Sequence, residues 1–137
     1  MLFISHRGNV LGPDKKLENN PVHISELSKK YNFEIDLWAL KDKIFIGHDT
    51  PEKQINPSFF NKKMWIHCKN LEAVNYISNT KFNWFWHEND KMTLTSKGKV
   101  WCFPEVYLPE GITVMLEYKK ELPKIKGICT DFLFKYL

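Results

Sequence analysis

The chain has 137 residues, of which 43% are hydrophobic, 15% aromatic and 26% charged, and its formal net charge is +4. This composition is typical of a globular domain and excludes a disordered or low-complexity chain. No apolar run approaches the roughly 18 residues of a membrane-spanning helix, and the 3 cysteines are too widely spaced for a disulfide framework or a zinc knuckle. We therefore expect one cytoplasmic domain over residues 1–137 without stable membrane insertion, and its oligomeric state stays open.

Short apolar runs bounded by turn residues recur along the chain and predict β-strands. In chain order these runs are 2–5, 33–40, 43–47, 64–68, 82–86, 100–103, 112–116 and 127–132. The runs 33–40 and 43–47 flank a Lys-Asp-Lys turn, a pattern typical of a β-hairpin. Many strands in a short chain indicate that sheet structure dominates the fold.

Two segments between these runs predict helices. Residues 21–31 begin with a proline at a first helical position, and residues 70–79 begin with an asparagine that can cap a helix. Alternating strands and helices predict a mainly parallel α/β sheet, either open or closed into a barrel. Because a (β/α)8 barrel commonly needs about 250 residues, a TIM-type barrel built from this chain must be compact and helix-poor, and an incomplete barrel is also open.

Titratable side chains stand at or near the end of nearly every predicted strand. They are His6, Glu34, Asp36, His48, His67, Lys69, His87, Glu88, Glu105, Glu117 and Asp131. Parallel α/β folds build their active sites where the carboxyl ends of the strands meet. We therefore expect these side chains to converge on one site, although any single one also fits a polar strand edge.

Two carboxylates lie two residues apart inside one apolar run. Glu34 and Asp36 fall on the same face of a strand, whereas the flanking apolar side chains point the other way. Like charges on one face repel unless a cation, a proton or a basic partner lies between them. A solvated strand face is the simpler interpretation, and a cation site is the functional one.

Four ordered motifs resemble those of the glycerophosphodiester phosphodiesterase family, which is related to phosphatidylinositol-specific phospholipase C. The motifs are HRG in SHRGN (5–9), EN in LENN (17–20), and ExD and HD in FEIDLWALKDKIFIGHD (33–49). The run that ends at Lys69 and the closing GICTDF are also similar to strands of that family. The resemblance implies a TIM-type barrel and metal-dependent cleavage of a small phosphodiester.

The resemblance also implies roles for individual side chains in catalysis. His6 and His48 are the expected general acid and general base, and Lys69 is expected to neutralise the phosphate. Histidine suits this exchange because its unperturbed pKa lies near neutrality. Arg7 either forks onto a phosphate oxygen or forms a structural ion pair, and both interpretations stay open.

A divalent cation is expected between Glu34 and Asp36, with Mg²⁺ or Ca²⁺ implied by the family and by oxygen ligands. The family commonly has a third acidic ligand two residues before the lysine, where this chain has His67. Imidazole can ligate Mn²⁺ or Zn²⁺ but is a poor ligand for Mg²⁺ or Ca²⁺, which leaves the metal open and makes Glu117 or Glu105 an alternative third ligand.

Glycerophosphodiesters and sugar or polyol phosphodiesters are the expected substrates, with hydrolysis and cyclising cleavage both open. Glu18, Trp86 and His87 are candidate substrate-binding residues, although core packing also explains the tryptophan. Glu18 can alternatively lie next to the metal, and His23 is expected at the surface.

A non-catalytic barrel module that binds metal and phosphate is the alternative from another functional class. Its discriminator is turnover, because both expected catalytic histidines are present. No nucleic-acid partner is expected, because lysines and aromatic residues do not cluster in the sequence.

Overall fold

A computed structural model describes residues 1–137 as ten strands, two α-helices and two single 3₁₀ turns. The strands are β1 (Leu2–Ser5), β2 (Asn32–Leu40), β3 (Lys43–Ile46), β4 (Lys53–Ile55), β5 (Met64–Cys68), β6 (Asn83–Trp86), β7 (Met92–Leu94), β8 (Val100–Cys102), β9 (Gly111–Met115) and β10 (Gly127–Thr130). The helices are α1 (Pro21–Leu27) and α2 (Leu71–Ile77), and the 3₁₀ turns are Pro57–Phe59 and Leu133–Lys135. Each α-helix has 7 residues, and none is long and apolar enough to cross a bilayer.

All ten strands belong to one sheet. A parallel series runs in the order β6, β5, β2, β1, β10, β9, β8. Strands β3 and β4 form an antiparallel arm on the second half of β2, and β7 pairs antiparallel with β8. The prediction of a helix-poor, mainly parallel α/β protein is therefore confirmed. Strands β4 and β7 were missed because most of their side chains are exposed and form no apolar run.

The sheet curls until its two ends meet. The rings of Phe85 on β6 and Trp101 on β8 stack at 4.5 Å, and Trp65 on β5 lies 5.9 Å from the same indole. Strands β6 and β8 do not pair with each other. Instead, Ser96 bonds to β6: its amide donates to the Trp84 carbonyl at 2.7 Å, and its Oγ accepts from the Trp84 amide at 3.0 Å. A seam of side-chain and loop contacts thus joins the ends of the curled sheet.

Strand alternation gives the curled sheet two different faces. The convex face carries Phe33, Ile35 and Leu37 of β2, all fully buried in a cluster that also contains side chains from both α-helices. The concave face is filled by a separate cluster of Ile4, Trp65, Phe85, Trp101, Ile112, Val114 and Cys129. On four strands the concave side chain two residues further on is titratable: His6, His67, His87 and Asp131. A polar layer therefore lies above the concave core, at the carboxyl ends of the parallel strands, which we call the carboxyl rim.

Asparagine side chains cap both helices, and one of them also binds the sheet. Asn20 accepts hydrogen bonds from the first backbone amides of α1, and Asn70 accepts from the Ala73 amide at the start of α2. Asn70 also exchanges two hydrogen bonds with the backbone of Ala39, at 3.2 and 2.8 Å. One side chain therefore caps α2 and continues the hydrogen bonding of β2.

We expect Ile66→Ala to destabilise the fold by about 2–5 kcal/mol, because Ile66 is fully buried on the convex side of β5 and its loss leaves a cavity. Urea denaturation measures the change through the transition midpoint. Leu11→Ala is the control, because Leu11 is 67% exposed and its truncation should change stability by at most about 0.5 kcal/mol. Equal losses in the two variants would contradict the assigned core.

Candidate active site

A cavity of about 380 Å³ opens at the carboxyl rim. The predicted site residues that line it are His6, Arg7, Glu34, Asp36, His48, His67, Lys69, Trp86 and His87. These side chains come from β1, β2, β5, β6 and the end of the arm, so the curl of the sheet assembles them. Most of the predicted site therefore lies around one cavity.

The two carboxylates of β2 are almost completely buried. Glu34 is 2% exposed and Asp36 is 1% exposed. The Arg7 amide donates to Glu34 Oε2 at 3.1 Å, and Asn19 Nδ2 donates to Asp36 Oδ2 at 2.9 Å. Asn19 Oδ1 in turn accepts the Asp36 amide at 3.1 Å. The interpretation of this pair as a solvated strand face is therefore wrong.

The loops that follow β1 bring these donors to the carboxylates at the expense of backbone strain. Arg7 and Asn19 both adopt the left-handed conformation, with φ of 55° and 47°. The Asn19 amide donates to the Arg7 carbonyl at 2.7 Å, which locks the two strained residues together. Strained residues of this kind persist where surrounding contacts over-determine them, commonly at functional sites.

Three basic groups surround Asp36. His67 Nδ1 lies 3.3 Å from Oδ1, Arg7 Nε lies 3.5 Å from Oδ2, and Lys69 Nζ lies 3.8 Å from Oδ1. Burial alone would raise the pKa of Asp36, but the His67 hydrogen bond and the positive charges hold it below its usual range. Burial and the Asp36 charge raise the pKa of Glu34 instead. Of the two carboxylates, Asp36 therefore keeps its charge more readily.

His67 directs one defined nitrogen toward the carboxylates. Its Nε2–H donates to the His87 carbonyl at 2.9 Å, so Nδ1 faces Asp36 and also lies 3.7 Å from Glu34 Oε1. The ring stacks on Phe85 with centroids 4.9 Å apart. Burial lowers the pKa of His67, but the hydrogen bond and charge of Asp36 raise it by more.

Glu34, Asp36 and His67 together form a group that fits a metal ion. One ligand atom from each residue lies within 4.8 Å of the others. With a cation bound, the imidazole would be neutral: the His87 carbonyl would hold its proton on Nε2 and leave the Nδ1 lone pair free to ligate the ion. Two carboxylates with one imidazole suit Mn²⁺ better than Mg²⁺ or Ca²⁺.

Aspartates orient both predicted catalytic histidines. His6 Nδ1 lies 2.9 Å from Asp131 Oδ1, in a pair whose side chains are 10% and 6% exposed. His48 Nδ1 lies 2.7 Å from Asp49 Oδ1. A carboxylate that accepts the Nδ1 proton leaves Nε2 as the nitrogen that can exchange a proton with a ligand.

The arm sets the position of His48. The Gly47 amide donates to the Asp36 carbonyl at 3.1 Å, and Trp38 Nε1 donates to the Gly47 carbonyl at 2.7 Å. Only glycine fits at position 47, because a Cβ there would lie 2.1 Å from the Thr50 carbonyl oxygen. Partial burial lowers the pKa of His48, and the charges of Arg7 and Lys69 lower it further.

His87 lies next to the group of Glu34, Asp36 and His67. Its Nδ1 lies 3.0 Å from Asp90 Oδ2, and its Nε2 is buried without a hydrogen-bond partner. Phe103 lies 5.5 Å from the imidazole ring and, with Trp86, adds an apolar wall to the cavity. Trp86 on β6 and His87 directly after it, both predicted to bind the substrate, thus line the cavity.

The structure does not bring Glu117 to the group of Glu34, Asp36 and His67. Leu116 lines the cavity, so strand alternation turns Glu117 outward, where it is exposed. Glu105 is also exposed and lies 2.7 Å from Lys119 Nζ. The prediction that Glu117 or Glu105 supplies a third ligand is therefore wrong, and His67 is the third member of the group.

Glu18 and His23 support the loop after β1. Glu18 lies outside the cavity lining, accepts a hydrogen bond from Asn9 at 3.0 Å and lies 4.0 Å from Arg7 Nη1. Arg7 therefore forms the structural ion pair that was one of its two interpretations. His23, expected at the surface, is partly exposed, and its Nε2 donates to the Gly8 carbonyl at 2.8 Å.

The sequence prediction missed the network that holds His6. Asp131 Oδ1 accepts hydrogen bonds from His6 Nδ1 and, at 2.7 Å, from Asn9 Nδ2. The end of the last strand marked Asp131 as a rim residue, but nothing in the sequence pairs it with a histidine 125 positions away. The parallel pairing of β1 with β10 creates this contact.

Comparisons with known proteins add no assignment. A scan against models of protein families and searches of curated proteins and of solved structures each found no match. The functional argument therefore rests on the geometry and chemistry of the cavity.

We expect Asp131→Asn to destabilise the fold by about 1.5–3 kcal/mol near pH 7, the range for a buried hydrogen bond to a charged group. Burial raises the pKa of Asp131, but the hydrogen bonds and charges of His6, Asn9 and Arg7 lower it below its usual value. A carboxyl group with a lowered folded-state pKa stabilises the fold above its unfolded pKa of about 3.9, and this contribution is lost as the pH falls through the folded value.

Urea denaturation near pH 7 and near pH 3 measures this difference. The cost of Asp131→Asn should shrink at the lower pH, whereas a cost independent of pH would contradict the assigned charge. Asp49→Asn is the control, because the Asp49 side chain is 86% exposed and should contribute little at either pH.

Proposed function

We propose that this protein is a metal-dependent phosphodiesterase that cleaves small phosphodiesters, and that its curled sheet is a reduced (β/α) barrel. One observation carries the proposal: His6 and His48, each oriented through Nδ1 by an aspartate, line the same cavity as the group of Glu34, Asp36 and His67. Glycerophosphodiesters and sugar or polyol phosphodiesters are the proposed substrates.

The chemistry of a phosphodiester explains why these residue types are needed. Its anionic oxygens repel a nucleophile, and its alkoxide departs slowly unless it receives a proton. Glu34, Asp36 and His67 would hold a divalent cation, which when bound supplies positive charge to the phosphate oxygens. Lys69, only 19% exposed at the cavity wall, supplies further positive charge.

The two histidines divide the proton transfers. A lowered pKa keeps His48 neutral near pH 7, so its imidazole accepts the proton of the attacking hydroxyl. His6, held by Asp131, donates a proton to the leaving oxygen. Attack by water gives a phosphomonoester and attack by a neighbouring hydroxyl of the substrate gives a cyclic phosphate, with the same proton transfers in both.

Arg7 is best described as a positioning residue. Its guanidinium faces Asp36 and Glu18, and its amide binds Glu34, so its main contacts are with the carboxylates. The apolar wall of Trp86 and Phe103 is available to the alcohol portion of the substrate. A cavity of about 380 Å³ is at the small end of the range for ligand sites, which favours a small substrate.

We expect the protein to bind Mn²⁺ more tightly than Mg²⁺ or Ca²⁺, because one of the proposed ligands is an imidazole. Asp36→Asn should weaken Mn²⁺ binding at least about tenfold, since even residues that only support metal ligands contribute that much. Isothermal titration calorimetry measures the affinities. Glu117→Gln is the matched control and should bind Mn²⁺ like the wild type, and equal affinity in all three proteins would remove the metal assignment.

We expect His6→Asn and His48→Asn each to lower kcat by about 10²- to 10⁴-fold, because asparagine can still donate to the neighbouring aspartate but cannot transfer a proton. Turnover of a glycerophosphodiester and of bis(p-nitrophenyl) phosphate with Mn²⁺ is the measurement. The double variant should be hardly slower than either single variant if the two histidines act as a unit.

The pH dependence of turnover provides an independent check. The wild-type kcat/KM should be bell-shaped, with an acid limb below about pH 6.5 that disappears in His48→Asn. Lys120→Ala, at an exposed position outside the cavity, should retain full activity. A protein that binds Mn²⁺ but cleaves neither substrate would instead be a binding module without catalysis.

A further inference from the structure

A second cavity, of about 600 Å³, lies at the opposite end of the sheet, beside the starts of β6 and β8 and the segment that leads into β5. Lys62, Lys81, Lys97 and Lys99 line it, and no acidic residue does. All four lysines are exposed. None of them has a carboxylate within 4.0 Å; the lysines that form such ion pairs are Lys69, Lys119 and Lys126. Converging positive charges without acidic partners attract an anion.

Aromatic side chains form part of the wall of the same cavity, which we call the amino-end groove. Phe60, Trp65 and Phe82 line it; Phe60 and Trp65 are 7% and 8% exposed, so the partly exposed ring of Phe82, 5.6 Å from that of Phe60, offers the most accessible surface for a planar ligand. In the sequence these rings and the lysines are distributed over separate segments, which is why we predicted no clustering. The pairing of β5 with β6 brings the segments together, so the premise of that prediction is wrong.

The groove also offers amide groups of the kind that bind nucleobase edges. Asn32 and Asn83 line it, and Asn83 Oδ1 is buried without a hydrogen-bond donor, whereas the amide of Asn61 is already bonded to Ser28 Oγ and the Lys63 amide. Asn83 begins β6 at the seam, where Ser96 replaces a neighbouring strand. Lysines, planar rings and amides therefore occur together at one site.

We propose that the amino-end groove binds a nucleotide unit, with its phosphate at the lysines and its base against the aromatic wall. The unit can be a free nucleotide or one residue of a single strand, because both offer the same anionic and planar groups. The volume suits a ligand of this size. This proposal is independent of the phosphodiesterase proposal, since none of the groove residues lines the active-site cavity.

Fluorescence anisotropy with a 5′-fluorescein-labelled oligothymidylate of eight nucleotides tests the proposal. We expect the wild type to bind this probe with an affinity that falls as salt rises, and Lys81→Glu/Lys99→Glu to bind at least about tenfold more weakly at about 50 mM salt. Lys15→Glu/Lys120→Glu makes the same change in net charge at exposed positions outside the groove, and should alter affinity by less than about twofold.

An abasic octamer with the same number of phosphates separates base recognition from charge alone. It should bind about tenfold more weakly than the oligothymidylate, because stacking of bases on aromatic rings is lost. Competition by AMP would identify a site for free nucleotides, and binding of the strand without such competition would identify a strand site, and both results support the proposal.

Three results would overturn the proposal: no binding of the oligothymidylate, equal weakening by the two charge-reversed variants, or equal affinity for the abasic octamer. Circular dichroism and Mn²⁺ titration of each variant establish that the fold and the carboxyl rim are intact. A failure at the groove can therefore be distinguished from a failure at the active site.

Discussion

The burial of two carboxylates on the concave face of β2 is the constraint on which the rest of this structure depends. Removing charged groups from water is costly, and two of the same sign placed together add repulsion to that cost. The surroundings of Glu34 and Asp36 offset both effects with a guanidinium, an ammonium, an imidazole and two hydrogen-bond donors from the segment between β1 and α1. Arg7 and Asn19, which supply two of these donors, both hold the left-handed backbone conformation.

The alternation of side chains along the strands also determines the rest of the carboxyl rim. Strands β1, β5 and β6 each place an apolar side chain (Ile4, Trp65, Phe85) in the concave core and, two residues later, a histidine at the cavity, so the packing of the core fixes the position of these histidines. Hydrogen bonds then select one nitrogen of each imidazole. Aspartates hold Nδ1 of His6 and His48, whereas a backbone carbonyl holds Nε2 of His67. The first two rings are thereby suited to proton transfer and the third to ligation, although all are histidines at strand ends.

Local patterns allowed much of this to be predicted from the sequence. The parallel strands, the hairpin of β2 with β3 and both helices follow from apolar runs, a turn and capping residues, and the spacing of Glu34 and Asp36 places them on one face. Prediction failed where pairing in space decides the outcome. The contact of His6 with Asp131 depends on the neighbouring positions of the first and last strands, and the amino-end groove depends on segments that meet only through β5 and β6. Glu117 was misplaced because the sequence does not reveal which face of β9 meets the cavity.

The two connections of the arm, between β2 and β3 and between β3 and β4, differ in how well they would tolerate a change of length during evolution. The antiparallel register of β2 with β3 sets the position of His48. One residue inserted in the turn between these strands would move every side chain of β3 to the other face of the sheet and displace the histidine. Residues 50–52, by contrast, join β3 to β4 next to His48 without contributing a side chain to the cavity. Descendants could lengthen that connection at little entropic cost and acquire a cover over the substrate, with the geometry of the histidines and carboxylates preserved.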